Sequence, residues 1–550
     1  MKTRACSLLL VSFLFLLHFP LSSQTIVRGF VRDSITGQAI VSASIKFEGR
    51  EETVSSALSG YFEVRDIAAV RNNTAGVQYI IVSHENYQEK KLSVTVNQIN
   101  VFDILLSPQA EYLRNRQQQD SLPNAANYPA ILLLQKMLGN RKIPPPSYRL
   151  LVFASDLLTE NYLPTHRREE KNKFNIGPVT SFISRNGIEG IRLALGGETT
   201  SKLNQYFYFK GLGAYGFGDR QFKYSGTATW SFNGKNPNHD YGLDALSVRY
   251  QYDIQSLNSF FSSEYQPNIF LSFKRQQENM MRYQRKISVN YSKEFSNGMA
   301  AETWSFLNRE TPAGSLQWLS TDEQGDIHIT NTYKVAGVGL KLHYTKTDKP
   351  LQHGYTPNLS FSYQQGIKGF LNGDYDYQYA EFAVHKTFPA TFGLIALHAK
   401  TGKIWGNVPF PLLIIPNYNL SYGIRQGGYN LMNLLEFISD KYVSLDMETH
   451  FDGLLFNKIP FVSNLKLKEV ITFSGFYGDL SSDKLPENNR TLFIFPDISS
   501  RMGKVPYMEA SIGLENILGL FRVDYVRRLT YLDKPGISKG GCRFSLKLLF

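Results

Sequence analysis

The stretch Leu246–Ile254, "LSVRYQYDI", carries the pattern that decides the fold class of this chain. Every second residue is apolar or aromatic, and the residues between them are Ser, Arg, Gln and Asp. Successive side chains of a β-strand point to opposite faces, whereas a helix would bring every third or fourth residue together. The alternation therefore predicts a strand with one apolar face and one polar face.

The same alternation returns through the region 188–550, as in "YQRKISVNY" (283–291), "VGLKLHY" (338–344), "VSLDMETHF" (443–451) and "GCRFSLKLLF" (541–550). Turn-rich stretches such as "NGKNPNHD" and "SSDKLPENNR" separate the runs. A soluble β-sandwich would alternate in the same way. Frequent Tyr and Phe near the strand ends, and Arg, Lys and Asp on the polar faces, favour a transmembrane barrel. We predict an all-β protein whose residues 188–550 form an antiparallel transmembrane β-barrel of about 16 strands in the outer membrane.

The last predicted strand ends the sequence on an aromatic ring. This ending is similar to the terminal assembly signal of outer-membrane barrels, and the residues that would form it are Phe544, Leu546, Leu548 and Phe550. The partners expected from it are outer-membrane lipid and, during biogenesis, the barrel-assembly machinery. Earlier in the region, "GLGAYGFGD" is rich in glycine. Its glycines are predicted to permit strand bends or close backbone approach, the alternative being a loose turn: Gly211, Gly213, Gly216 and Gly218.

Three further segments precede the predicted barrel. Residues 1–24 combine Lys2 and Arg4 with a short apolar run and a small-residue exit, which is typical of a secretory signal peptide. Residues 25–107 contain short β-rich runs divided by turn formers and predict a small β-sandwich of about seven strands. Residues 108–187 predict a partly helical connector, with "AEYLRNRQQQDSL" and "AILLLQKML" as its helical pieces. Signal-peptide cleavage would leave Cys542 as the one cysteine, which excludes an internal disulfide.

Two sets of motifs carry a family resemblance. "VRGFVRDSITGQAIVSASIKFEG", "ALSGYFEVRDI" and "SHENYQ" resemble the carboxypeptidase-regulatory-like domain, a transthyretin-like sandwich. "RNGIEGIRLALGGETT", "LLEFISDKYVSLDMETHFDGLLFNKIP" and "PYMEASIGLENILGLFRVDYVRRLTY" resemble the barrel domain of unknown function to which that sandwich is joined in uncharacterised Gram-negative outer-membrane proteins. The resemblance implies a periplasmic sandwich without peptidase chemistry, which is expected to dock a periplasmic protein partner.

The candidate chemistry is sparse. His166 and Glu169 have the spacing of two zinc ligands, but a catalytic zinc needs a third ligand and a supporting shell. His385 and His450 lie in strand patterns, where a lumenal histidine could serve as a base of a barrel hydrolase. Arg282, Lys286, Arg543 and Lys547 fall on polar faces, which favours a solvated, charge-balanced lumen, with an anion-preferring lumen as the alternative. We predict no metal, no cofactor and no catalytic residues.

The formal charge of +12 is scattered along 550 residues, which argues against binding to nucleic acid. Three functions follow as hypotheses. The first is transport, translocation or envelope assembly by a barrel with a periplasmic docking domain. The second is a non-conducting structural or interaction barrel. The third is a hydrolase acting on lipid or peptide.

Overall fold

The computed structural model describes most of the chain beyond residue 160 and much of residues 25–109. The described residues are 25–34, 40, 42–51, 53–56, 61–66, 77–96, 99–109, 161–166, 171–237, 242–259, 267–322, 324–345, 359–390, 393–425, 427–451, 453, 456, 459, 467–490, 492–517, 521–534 and 536–546. The predicted signal peptide and both predicted helical pieces of the connector lie outside them. Within the described part of the chain, none of the helices has the length and apolar character needed to span a lipid bilayer.

The residues before position 110 form two small sheets from seven strands. These are β1 (Thr25–Asp33), β2 (Ser44–Phe47), β3 (Thr53–Ser55), β4 (Tyr61–Asp66), β5 (Val77–His84), β6 (Tyr87–Thr95) and β7 (Ile99–Leu106). One sheet has the order β4-β1-β7 and the other β3-β2-β5-β6. Val27, Ile45, Phe62, Ile80 and Ile104, which come from both sheets, belong to one hydrophobic cluster and are at most 2% exposed. This shared core joins the two sheets into one unit.

The second unit is built on one large antiparallel sheet. Its short strands are β8 (Leu163–Pro164), β9 (Phe174–Ile176) and β10 (Ile183–Asn186), and its long strands are β11 (Gly190–Thr199), β12 (Phe207–Gly216), β13 (Gln221–Ser231), β14 (Asp244–Ser256), β15 (Met280–Glu294), β16 (Met299–Gly314), β19 (Tyr333–Tyr344), β20 (Leu359–Gly366), β21 (Tyr377–Ala390), β22 (Gly393–Trp405), β23 (Lys441–Phe451), β24 (Lys468–Asp479), β25 (Tyr507–Ile517), β26 (Phe521–Arg528) and β27 (Gly540–Leu546). β17 (Leu319–Thr321) and β18 (Ile327–Ile329) form a separate hairpin.

The large sheet follows the chain from strand to strand. Its 18 strands have the order β10 to β16, β19 to β27, then β8 and β9, and β9 also pairs with β11. The helices described are single 3₁₀ turns: Val179–Ser181, Leu257–Ser259, Phe270–Ser272, Phe370–Asn372, Phe410–Leu412 and Ser482–Lys484. The all-β prediction is confirmed for the described residues. The sheet has more strands than the predicted number of about 16 because three short strands join it.

The two faces of the large sheet have opposite chemistry. On β11, Ile191, Leu193 and Leu195 are 45–65% exposed, whereas Arg192 between them is 1% exposed. On β14, Val248 and Tyr250 are exposed and Asp253 is buried. On these strands the alternation of the sequence is therefore present in space, with apolar side chains on the outside and charged side chains on the covered face. This is the reverse of the arrangement in a water-soluble sheet, whose apolar face is the covered one.

Close packing on the covered face depends on missing side chains at defined register positions. Trp304 of β16 pairs with Gly339 of β19. A Cβ atom at Gly339 would lie 2.2 Å from the indole ring of Trp304, so any side chain there would displace the ring. At Gly226 of β13, a Cβ atom would have no neighbour within 4 Å. Gly226 lies on the outer face, since Tyr224 and Trp230 on its side of β13 are exposed, and it serves as a contact-free control for the tightly packed Gly339.

Candidate functional site

The connection between β22 and β23 lies folded against the covered face of the large sheet. We call residues 408–440 the inner segment. Its apolar side chains include Val408, Phe410, Leu412, Leu431, Leu435 and Phe437, each at most 1% exposed. Pro409, Pro411 and Pro416 interrupt regular pairing here because proline has no backbone N–H. Most of the backbone polar groups of such a buried segment need partners elsewhere in the protein.

Glu509 of β25 supplies one of these partners. The carboxylate is 2% exposed and accepts hydrogen bonds from the backbone N–H groups of Asn430 and Leu431, at 2.7 and 3.0 Å. The hydroxyl of Tyr507 donates a third hydrogen bond to it at 2.8 Å. A buried carboxylate is tolerable when such donors satisfy its oxygens. Glu509 therefore fixes the middle of the inner segment to β25.

Arg528 of β26 holds the segment by a buried ion pair. Its guanidinium donates two hydrogen bonds to Glu436 of the inner segment, at 2.6 and 3.0 Å, and the residues are 0% and 4% exposed. The guanidinium also lies 4.8 Å from the ring centroid of Tyr507. Lys534 lies at 3.8 Å from the same Glu436 carboxylate. The bidentate geometry makes this the best-defined charge contact between the inner segment and a strand.

Two more arginines bind backbone carbonyls of the inner segment. Arg543 of β27 donates to the carbonyl oxygen of Asn430 at 2.6 Å. Arg275, which lies between β14 and β15, donates to the carbonyl oxygen of Met432 and to Oδ1 of Asn433. Burial lowers the pKa of Arg275 to about 10. A charged side chain from each of the last three strands therefore binds the inner segment: Glu509 of β25, Arg528 of β26 and Arg543 of β27.

Part of the inner segment also pairs with the edge of β27. The backbone N–H of Phe544 donates to Tyr422 at 2.9 Å, and its carbonyl accepts from Ile424 at 2.8 Å. Tyr422 in turn donates to the carbonyl of Phe273 at 2.8 Å. Since both backbone groups of Phe544 are used here, this pairing lies on the edge of β27 opposite to β26. Phe273, Tyr422 and Phe544 are 46–65% exposed and continue the outer apolar face across this seam.

A second charged cluster lies on the covered face at β11 to β14. Arg192 binds Asp253 in a bidentate manner at 2.6 and 2.9 Å and contacts Glu189 at 3.0 Å. Lys223 lies at 2.8 Å from Glu189 and 2.5 Å from Asp219. The members are buried and paired with one another. They therefore join β11, β13 and β14 to the turns that hold Glu189 and Asp219, and their charges are paired on the covered face.

The four predicted glycines divide into two kinds beside this cluster. A Cβ atom at Gly216 would lie 2.4 Å from a carboxylate oxygen of Asp219, and one at Gly218 would lie 2.7 Å from the carbonyl of Ile188. At Gly211 and Gly213 the nearest atoms would be 3.8 Å away, an ordinary contact. Gly216 and Gly218 are thus closely surrounded, whereas Gly211 and Gly213 are not, and the role of all four in strand bending or close backbone approach stays a prediction.

A third cluster surrounds His450 on β23. Its Nε2 atom lies 2.8 Å from Glu448 and its Nδ1 atom 3.1 Å from Glu515. Arg522 of β26 binds Glu448 and makes a bidentate contact with Asp524. Both ring nitrogens of His450 therefore face carboxylates, an arrangement that pairs charges across β23, β25 and β26. His385 and His398 form a separate edge contact, with ring centroids 5.9 Å apart.

The remaining predicted residues have simple placements. Arg282 and Arg543 are at most 2% exposed on the covered face, as alternation predicted, and Lys286 is half-buried. Phe544 is exposed on β27, whereas Leu548, Phe550, Lys547 and Glu169 lie outside the described residues. Cys542 is a free, exposed thiol. No group of three His, Cys, Asp or Glu side chains suited to a metal ion occurs in the part of the chain that the structure describes.

Sequence reasoning missed Glu436, Glu509, Arg528 and the inner segment itself. Arg528 and Glu509 occupy polar positions of alternating strands, so their covered face was predictable. Glu436 lies in a stretch without a period, and its partner is 92 residues away. The periodicity of a sequence indicates on which face of a strand a side chain lies, but it does not indicate which distant residue that side chain contacts.

Comparison with known proteins adds one family match and several distant structures. Residues 340–483 match the C-terminal domain of DUF5686, a family of unknown function. No curated protein matches. The structure is similar to BamA from Haemophilus ducreyi lacking POTRA domains 1-3, with 10% identity, a TM-score of 0.42, and coverage of 87% of this chain and 92% of that one. It is also similar to CdiB from Acinetobacter baumannii, with 12% identity, a TM-score of 0.33, and coverage of 66% and 58%.

Proposed function

We propose that this protein is an outer-membrane β-barrel with a periplasmic docking domain, which acts in transport, translocation or envelope assembly. The observation that carries the proposal is the reversed polarity of the large sheet. Exposed rings and aliphatic side chains alternate with buried charges on the same strands. Water would penalise such a surface, whereas lipid outside and a polar lumen inside stabilise it.

The pairing pattern supports closure of the sheet into a barrel. β9 follows β8 at one end of the strand order and also pairs with β11 near the other end, with Gly197 opposite Ile176. A closed ladder leaves no unpaired edge, which the hydrocarbon layer requires. The seam formed by residues 273, 422 and 544 would then be part of the barrel wall.

Connection lengths support an orientation. The connections from β14 to β15, β16 to β19, β22 to β23 and β24 to β25 are long and lie at one end of the strands, and the short connections 200–206 and 295–298 lie at the other. In outer-membrane barrels the short turns are periplasmic. β9 starts at the short-turn end, since Phe174 pairs with Thr199 at the end of β11. β8 lies near the same end, since Leu163 pairs with Ile176, and this placement supports a periplasmic position for the residues that precede the barrel.

The inner segment would fill the lumen, which predicts a barrel closed to ions at rest. Its anchors include paired buried charges as well as apolar contacts. A buried ion pair contributes little net stability compared with apolar packing of the same volume, and one well-attested role for it is a switch between states. This chemistry favours a segment that moves during transport or assembly over a permanent filling. The non-conducting structural barrel remains the alternative.

The two-sheet unit before residue 110 is proposed to be the β-sandwich of residues 25–107, similar to the carboxypeptidase-regulatory-like domain. Its seven strands and single shared core support this assignment. In the proposal it docks a periplasmic protein. Co-purification from native membranes, with and without residues 25–107, tests the docking because the partner should be lost with the unit.

The central proposal is tested by membrane fractionation followed by planar-bilayer recording. The processed protein should need detergent for extraction, and the wild type should conduct rarely. Arg528→Met should give discrete openings because it releases the inner segment. A monomeric, folded protein in a detergent-free aqueous extract would refute the membrane assignment. A released segment without conductance would support the structural alternative.

A further inference from the structure

A groove with apolar walls and charged side chains at one end lies on the outer face of the large sheet. It lies across β20 to β24 and has a volume of about 480 Å³. Its walls are the exposed aromatic and aliphatic side chains of Phe361 and Phe382 on one side and of Val443 and Tyr477 on the other. Its floor contains small residues, Ala380 and Gly402. Large apolar walls beside a floor of small residues give room for a slender apolar chain.

The depth of the groove has a local cause. A Cβ atom at Gly402 would lie 2.7 Å from the ring of Tyr442, which turns to the covered face and donates a hydrogen bond to Glu381 at 2.6 Å. A larger residue at position 402 would displace that ring. Gly402 and Tyr442 thus both face the covered side, opposite to the exposed Trp405 of β22, and the outer floor is formed by the backbone at Gly402 and the small side chain of Ala380.

One end of the groove is basic. Lys403 and Lys441 line it, together with Asp479. Lys441 lies 2.9 Å from Asp479, and Arg501 lies 3.1 Å from the same carboxylate beside the groove. Lys441 and Arg501 both pair with Asp479, and Lys403 lines the same groove with its ammonium 5.1 Å from the ring centroid of Trp405, so these four side chains combine three cations with one carboxylate. An anion is therefore the complementary ligand for this end.

The geometry points to a binding site for a phosphorylated lipid, with an acyl chain between the apolar walls and the phosphate at Lys403 and Lys441. The inference rests on the proposed function, because it requires this face to meet the membrane. The basic end lies at the strand ends that carry the long connections, where β22 and β24 finish and β23 begins. In the proposed orientation this is the outer leaflet. Lysine ammonium groups bind phosphate as point charges, and their apolar stems can lie along the groove.

The test is native mass spectrometry of the full-length protein in neutral detergent, with phosphatidylglycerol and a phosphatidylcholine of the same acyl chains as the two lipids. The wild type should retain phosphatidylglycerol preferentially. The double variant Lys403→Gln/Lys441→Gln should bind it about 30-fold more weakly, as expected for two lysines near an anionic headgroup. Binding of phosphatidylcholine should not change.

A matched control is available at the opposite ends of the strands. Lys293 is an exposed lysine at a strand end and lies 2.9 Å from Asp244, much as Lys441 pairs with Asp479. Lys293→Gln should leave lipid retention unchanged. Ala380→Phe should fill the floor and weaken the binding of both lipids. Equal retention by the double variant and the Lys293 control would overturn the inference.

Two further outcomes separate the alternatives. If inorganic phosphate displaced the lipid completely while Ala380→Phe had no effect, the site would bind a free anion and the lipid assignment would be wrong. Heat-modifiable gel mobility of each variant establishes that the sheet has folded. A wild type that fractionates with membranes but shows no preference for the anionic lipid refutes this inference alone. A wild type that fractionates with the aqueous phase refutes the proposed function.

Discussion

Replacement of Arg528 by methionine should release the inner segment. The variant removes one partner of a buried bidentate pair and leaves the Glu436 carboxylate at 4% exposure, with Lys534 at 3.8 Å as a weaker partner. Loss of one partner from such a pair costs about 3–5 kcal/mol. At about 1.4 kcal/mol for each factor of ten, the released population should rise by roughly two to three and a half powers of ten.

Hydrogen–deuterium exchange of peptides from residues 408–440 measures this population directly. The amides of Asn430 and Leu431 are the best reporters because their hydrogens are bonded to Glu509 in the docked state. Their exchange should accelerate by the same factor, provided that closing is faster than exchange. Because a buried pair can be replaced by apolar groups at little cost, Arg528→Met combined with Glu436→Leu should recover much of the protection.

Arg522→Met is the matched control. Arg522 lies on the same strand and is also buried in a charge cluster, but its partners are Glu448 and Asp524, which lie on β23 and β26. Exchange in the inner segment should therefore stay near the wild-type rate. Equal acceleration in both single variants would mean that general loosening of the sheet, and not loss of the Arg528 anchor, controls the segment. That result would refute the reasoning, as would full protection in Arg528→Met.

Three other outcomes test separate parts of the structure. A hydrogen bond from His328 lowers the pKa of Asp322 below 3.8. The ionised carboxylate therefore stabilises the β17–β18 hairpin above that pH, and this stabilisation is lost as the pH falls through the lowered pKa. Hydrogen exchange in the hairpin should accelerate over that pH range, and Asp322→Asn should abolish the pH dependence. Gly339→Ala should destabilise the folded sheet by about 1–3 kcal/mol through the clash with the paired indole, measured by heat-modifiable mobility, whereas Gly226→Ala should not. Deletion of residues 547–550 should reduce recovery in the outer-membrane fraction if the terminal strand is an assembly signal, and unchanged recovery would contradict that assignment.

The face of the sheet on which a side chain lies was predictable, because alternation is a local property of a strand. Val248 and Tyr250 are exposed and Arg282 and Arg543 are buried, as the period of two required. Ile254 departs from the pattern: its position in the alternation predicts exposure, but it is fully buried against Met281 and Ala313 at the end of β14. Here, tertiary packing at a strand end overrides the local rule.

The fold class and the two unlike faces of the sheet could be predicted from local sequence, since both follow from which residue types alternate along each strand. The position of most of the inner segment against the covered face was not predictable, because that stretch is apolar without a period and could have packed elsewhere. The pairing of Glu436 with Arg528 and the meeting of Tyr422 with Phe544 depend on chain closure over 92 and 122 residues. Such contacts are set by which strands become neighbours, and no local pattern of side chains encodes that choice.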